Sequence, residues 1–217
     1  MLGNYPYADR SRGSVDLRKS LGIPTDRRIL IYQGGFYTAA RSFGCVAEAL
    51  RLLPQWHWVL IGFGSPRALA ELHAIVVKAG IGDRVNVLPP VAVAELAGFT
   101  RGADVGVVPL LPTHLANYLG DTNKLFEYLQ AGLPVVASDF PVFRQVLCAD
   151  PDGPIGSVFD PVDPQSVVDS IRSLEDRIDE LGNRAEKVGV SRYCWQVEQA
   201  KLIDLYDKLR AQSADAR

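Results

Sequence analysis

An α/β fold is predicted, with a doubly wound, mostly parallel sheet of about six strands and helices on both faces. Two observations carry this. Short, continuously apolar runs recur along the chain, each stopped by Gly, Pro or a polar residue, as strands buried on both faces require. Between several of them lie stretches whose apolar residues fall at helical spacing, so strand and helix alternate. The 217 residues, 47% of them hydrophobic, are enough for one sizeable core.

The first 26 residues read as a linker-like, irregular segment with one short helix. Ser14 is its expected N-cap, Val15, Leu17 and Leu21 its apolar residues, Gly22 its end, and Pro24 blocks continuation. The domain proper is expected over 27–210. Its strands are RILIYQ (28–33), WVLIG (58–62), VNVL (85–88), VGVVPL (105–110), PVVAS (134–138) and a short one near SVFD (157–160). Phe43, Val46, Ala47 and Leu50 predict a helix after the first strand; Leu69, Leu72, Val76 and Ala79 predict one after the second. Another is bounded by Thr122 as N-cap and Gly132 just past its end, with Pro134 opening the next strand. Two terminal helices follow. One starts at Asp163-Pro164 and carries Val167, Ile171, Leu174 and Ile178; the other carries Trp195, Leu202, Leu205, Tyr206 and Leu209 on one face. Residues 211–217 read as a polar, frayed tail.

Composition excludes several classes. A formal charge of −2 removes the electrostatic case for a nucleic-acid or anionic-membrane surface. Cys45, Cys148 and Cys194 are few, odd in number and far apart, which fits a reducing compartment and a cytoplasmic location. No apolar run approaches the roughly 20 residues of a spanning helix, and the opening MLGNYPYADRSRGS is no signal segment.

In open parallel sheets ligands lie beyond the carboxyl ends of the strands, so the candidate site residues are sought there. Gly34-Gly35 directly follows the first strand, where paired glycines permit a tight turn and close approach of a ligand to the backbone; a plain turn is the alternative. Arg41, at the next helix, is placed either to meet an anion or to lie in solvent. Gly62 and Gly64 in IGFGS repeat the arrangement at the second strand's end. The run TNKLFEYLQAGLPVVASD (122–139) is the most specific. Thr122, Asn123 and Lys124 occupy a helix start, where free N–H groups favour an anion and Lys124 adds a point charge. Glu127 lies one turn on, and a carboxylate suits the vicinal hydroxyls of a ribose. A surface Lys124–Glu127 pair is the plainer reading. His57 and His73 read as packing or surface residues, His114 lies in a loop that a ligand could touch, and Asp104 caps or pairs locally. No metal-ligand spacing and no nucleophile–base arrangement is present in the sequence.

The run NKLFEYLQAGLPVVASD, the Gly-Gly after the first strand, LIGFGS and ADVGVVPL together resemble the C-terminal domain of group 1, family 4-like, glycosyltransferases of the GT-B fold. The resemblance extends from Asn4 to the closing SRYCWQ and LIDLYDKL segments. It implies a Rossmann-like, donor-binding half of an enzyme that moves a hexose from a nucleotide diphosphate sugar to an acceptor, with Glu127 on the ribose and the glycine loops around the diphosphate and base. Where the family often carries an earlier glutamate this chain has Leu119, followed by Gly120; the family's diphosphate motif reads Gly35-Phe36-Tyr37 and Arg41-Ser42, so its arginine is absent and Arg41 replaces its lysine. Phosphate neutralisation then falls on Lys124, the leaving-group stabiliser, with Arg41 assisting, and sugar recognition on the loop Asn117–Asn123, including Gly120 and Asp121.

The resemblance further implies no cofactor and no required metal, and a partner: an N-terminal acceptor domain, in cis or as a separate subunit, through which alone a membrane would be met. The chain is thus expected to be half an enzyme, inactive by itself. A nucleotide-sugar epimerase half and a non-catalytic nucleotide-sugar or partner-binding module are the alternatives; Leu119 and the absent arginine favour the module.

Overall fold

The computed structural model describes residues 2–9, 13–120 and 122–215. Six strands, β1 (Arg28–Gly35), β2 (Trp56–Phe63), β3 (Val85–Leu88), β4 (Val105–Val108), β5 (Val135–Ser138) and β6 (Gly156–Phe159), form one sheet in the order β3-β2-β1-β4-β5-β6. Every pairing is parallel. The order reverses between β1 and β4, and that switch point opens a crevice at their carboxyl ends.

Ten helices lie among the described residues: α1 (Leu17–Leu21), α2 (Phe43–Arg51), α3 (Pro66–Lys78), α4 (Val93–Thr100), α5 (Leu115–Leu119), α6 (Asn123–Gln130), α7 (Pro141–Cys148), α8 (Pro164–Arg172), α9 (Ile178–Ser191) and α10 (Trp195–Asp215). Alternation along the strands divides the core. Leu30, Tyr32, Trp58 and Leu60 pack with α2, α3 and α8 on one face, while Ile29, Ile31, Val59 and Ile61 pack with α1, α6, α7 and α9 on the other.

Boundaries differ from the sequence reading in places with local causes. Asp16, not Ser14, caps α1, its carboxylate accepting from Lys19 N at 2.9 Å. β1 runs on through both glycines because Gly34 and Gly35 pair with Gly62 and Phe63. Pro109 follows β4, so the strand stops short of Leu110, which instead bridges Arg41. The helix expected from Asp163 to Ile178 is two: α8 keeps its Asp163 cap, accepting from Gln165 N at 2.9 Å, but ends at Arg172, and Ile178 begins α9. α10 stays helical to Asp215. Its expected apolar face does not pack along its length: Ile203, Leu205, Tyr206 and Leu209 are exposed.

Candidate functional site

Gly34 and Gly62 are direct register partners at the mouth of the crevice. A Cβ on Gly62 would stand 1.9 Å from the Gly34 carbonyl oxygen, so the strand ends close only with glycine there. Gly34 has φ +119°, the region other residues avoid. Gly64 is explained by packing, since a Cβ there would sit 3.2 Å from Phe36 Cβ. Gly35 offers its carbonyl to the Tyr32 hydroxyl at 2.7 Å.

Two cations converge beside these glycines. Lys124, in the first turn of α6, places its Nζ 5.7 Å from the Tyr32 ring centroid and 3.2 Å from Thr122 Oγ1. A Cβ on Gly34 would lie 3.4 Å from Lys124 Cε, so the lysine stem rides over the end of β1. Arg41 does not open a helix as expected; it lies between a short 3-10 turn and Ser42, the N-cap of α2. Its Nε donates to Tyr32 Oη at 3.2 Å, its Nη1 to the Ala40 carbonyl at 3.0 Å, and its guanidinium sits 5.7 Å from the Tyr37 ring. Neither cation joins an ion pair of 4 Å or less among the described residues. Burial, with Arg41 adding to it, lowers the Lys124 ammonium to about 8, and Glu127 only partly offsets this.

Glu127 is therefore not half of a surface ion pair. Its Oε2 accepts from the Gln33 side-chain amide, and burial raises its pKa while that hydrogen bond and Lys124 pull it down. Gln33 Oε1 lies 2.9 Å from the Thr100 hydroxyl, and Gln33 N donates to Tyr128 Oη at 2.9 Å. The carboxylate faces a cavity of about 260 Å³ bounded by α4 and by residues 6–9, its walls including Tyr7, Val93, Leu96 and Ala97. Gln33, Thr100 and Tyr32 are participants the sequence reading missed. The available signal was Gln33 itself, an amide closing an otherwise apolar strand.

The remaining candidates lie around the mouth. Thr122 occupies the N-cap position of α6 without a side-chain cap bond, its hydroxyl turned to Lys124 instead. Asn123 is exposed. Gly120 ends α5, its N–H donating to Ala116 O at 3.0 Å. Asp121 lies outside the described residues. The loop before α5 is tied by Asn117, whose amide donates to Leu111 O at 3.2 Å, and by Ser138, whose hydroxyl donates to Leu110 O at 2.7 Å. His114 and Leu119 are exposed. His57 is buried and bonded to Asn86, a packing role, and His73 is exposed on α3. Asp104 pairs across the fold, not locally: it accepts from Arg18 Nη2 and from Ile29 N, both at 2.5 Å.

Chemically, the crevice offers two cations, a helix N-terminus and a closely approachable backbone for an anionic group. One helical turn away it offers an acceptor-only carboxylate for hydroxyls. No helix among the described residues is long and apolar enough to cross a membrane.

The family described as "Glycosyl transferases group 1" matches residues 27–177. The D-inositol 3-phosphate glycosyltransferase of Xylanimonas cellulosilytica is 30% identical over 209 residues, covering 93% of this chain and 47% of that protein. Among solved structures, sucrose-phosphate synthase from Thermosynechococcus elongatus superposes with a TM-score of 0.76 at 23% identity, over 92% of this chain and 50% of that one. Anabaena HepE in complex with UDP and glucose gives 0.71 at 17%, over 88% and 51%. The chain spans about half the length of the curated relatives it matches.

Proposed function

The chain belongs to the group 1 glycosyltransferases, and from that premise we propose that its crevice binds the nucleoside diphosphate sugar from which a hexose is transferred. The observation that carries the proposal is the placement of Lys124, Arg41 and Glu127. Two cations stand beside Gly34 at a helix N-terminus, and the carboxylate lies one turn further along α6.

In this reading the diphosphate lies against Lys124, the free N–H groups of α6 and the Gly34 backbone, with Arg41 assisting. Glu127 accepts from the ribose hydroxyls, and the nucleoside extends along the cavity walled by α4. The sugar faces the end of α5 and the start of α6, through Asn117, Gly120, Thr122 and Asn123. As the glycosidic bond to the diphosphate breaks, negative charge grows on the leaving oxygen. Lys124 and Arg41 are fixed where that charge develops and stabilise it without reorganising. The acceptor, and the groups that deprotonate it, belong to a second Rossmann-like domain facing the crevice, in cis or as a separate subunit. The UDP and glucose bound by Anabaena HepE support a sugar-nucleotide ligand.

A thermal-shift screen with UDP, GDP, dTDP and their sugar conjugates tests the reading. A ligand at about 100 times its Kd adds about 2.7 kcal/mol of stability. Stabilisation by at least one nucleotide is expected; no shift with any member of the panel contradicts the reading.

A further inference from the structure

We infer that Gln33 is a positioning residue that aims Glu127 at its ligand, through a buried relay running from Thr100 across Gln33 to the Glu127 carboxylate. The inference rests on the reading of Glu127 as the ribose-binding group.

Strand alternation places Gln33 on the face of β1 that carries Ile29 and Ile31, beneath α6. It is 2% exposed, and an amide buried there without partners would be costly. Both ends of the amide have a polar neighbour. The Glu127 carboxylate accepts from the Gln33 NH2, and the Gln33 carbonyl then faces the hydroxyl of fully buried Thr100 at 2.9 Å, whose single proton it shares with the Leu96 carbonyl at 2.8 Å. The backbone of the same residue donates to Tyr128 Oη at 2.9 Å. Position 33 therefore grips two successive residues of α6, one by its side chain and one by its main chain.

The consequence is directional. Glu127 Oε2 is committed to Gln33, while Oε1 has no hydrogen-bond partner among the described residues, and Glu127 lines the cavity of about 260 Å³. Burial acts to neutralise the carboxylate, and the Gln33 donor acts to keep it ionised. An apolar residue at position 33 would fill the space but release Glu127 to other rotamers.

The test is calorimetric titration of the whole chain with UDP and GDP and with their 2′,3′-dideoxy counterparts. Wild type is expected to prefer the ribonucleotide. Gln33→Leu should weaken the ribonucleotide by about three- to tenfold, the range of one ordinary hydrogen bond, and leave the dideoxy form unchanged. Adding Gln33→Leu to Glu127→Ala should cost nothing more. Full retention of ribose preference in Gln33→Leu, or equal weakening of both sugar forms, overturns the inference. Where Gln33→Leu does not fold, Thr100→Val decides: a smaller loss confined to the ribonucleotide supports the relay, and an unchanged preference overturns it. A wild type that does not distinguish the two sugars refutes the ribose reading of Glu127, and the relay with it.

Discussion

Gly34 and Gly62 meet backbone to backbone, with the ideal Cβ position of Gly62 only 1.9 Å from the Gly34 carbonyl oxygen. That contact holds the carboxyl ends of β1 and β2 together immediately beside Lys124. The two glycines have different jobs despite their symmetry in the sequence. Gly62 is required by backbone packing, whereas Gly34 is required by its own φ of +119°, since a Cβ there would meet Lys124 Cε only at an ordinary 3.4 Å.

Alanine substitutions should separate these jobs. Gly62→Ala meets backbone that cannot turn aside and should cost about 3 kcal/mol or more in urea denaturation. Gly34→Ala should cost about 1–2 kcal/mol from its left-handed φ, its Cβ meeting the Lys124 stem only at ordinary contact distance. Equal stability losses in the two variants would contradict the assignment.

Lys124 should be a stability liability held for function. Its folded pKa is depressed to about 8 from 10.5, so folding disfavours the ammonium. Across that window the unfolded chain binds more protons, and stability therefore rises with pH. Lys124→Met should stabilise the ligand-free chain at pH 7 by about 1–2 kcal/mol, with the gain vanishing by the upper end of the window. The same variant should lose about tenfold or more in nucleoside diphosphate affinity, as loss of a charged hydrogen bond does.

Affinity should also carry the lysine's titration. A diphosphate beside Lys124 favours the ammonium against the burial and the Arg41 charge that lower its pKa, so binding above about pH 8 takes up a proton. Affinity should be level from pH 7 to about 8 and then fall toward about tenfold per pH unit. Lys124→Arg, which holds its charge throughout, should flatten that decline. A wild-type profile that is level to pH 10 would refute Lys124 as the phosphate contact.

Asp104 supplies the control. It ties the amino-terminal ends of β1 and β4 by accepting from Ile29 N and Arg18, at the end of the sheet opposite the crevice. Asp104→Ala should destabilise by about 2–3 kcal/mol because it strands a partly buried cation and a backbone donor. Nucleotide affinity at saturating fold stability should not change.

The sheet was legible because its strands are apolar on both faces, a pattern that composition makes unmistakable in RILIY and WVLIG. The site was legible in part. Lys124 and Glu127 could be placed on one helix by spacing alone, and the strand ends identified the glycines. Spacing could not show that the two charges are kept out of ion-pairing range and that each is held from β1, Lys124 over Tyr32 and Glu127 by Gln33. Those are contacts between residues about ninety positions apart, set by the pairing of β1 with β4 and the seating of α6. α8 and α9 read as one helix for a related reason. Leu174 and Ile178 continue the apolar rhythm of Val167 and Ile171, although the backbone breaks between them.

The most direct measurement is calorimetric titration of UDP and GDP into the wild-type chain and into Glu127→Ala. Saturable binding of at least one nucleotide is expected, weakened by about 1.5–3 kcal/mol in the variant, the range for hydrogen bonds to a charged group. Binding of equal strength in both proteins, or no binding of either nucleotide by the wild type, would contradict the crevice as the donor site.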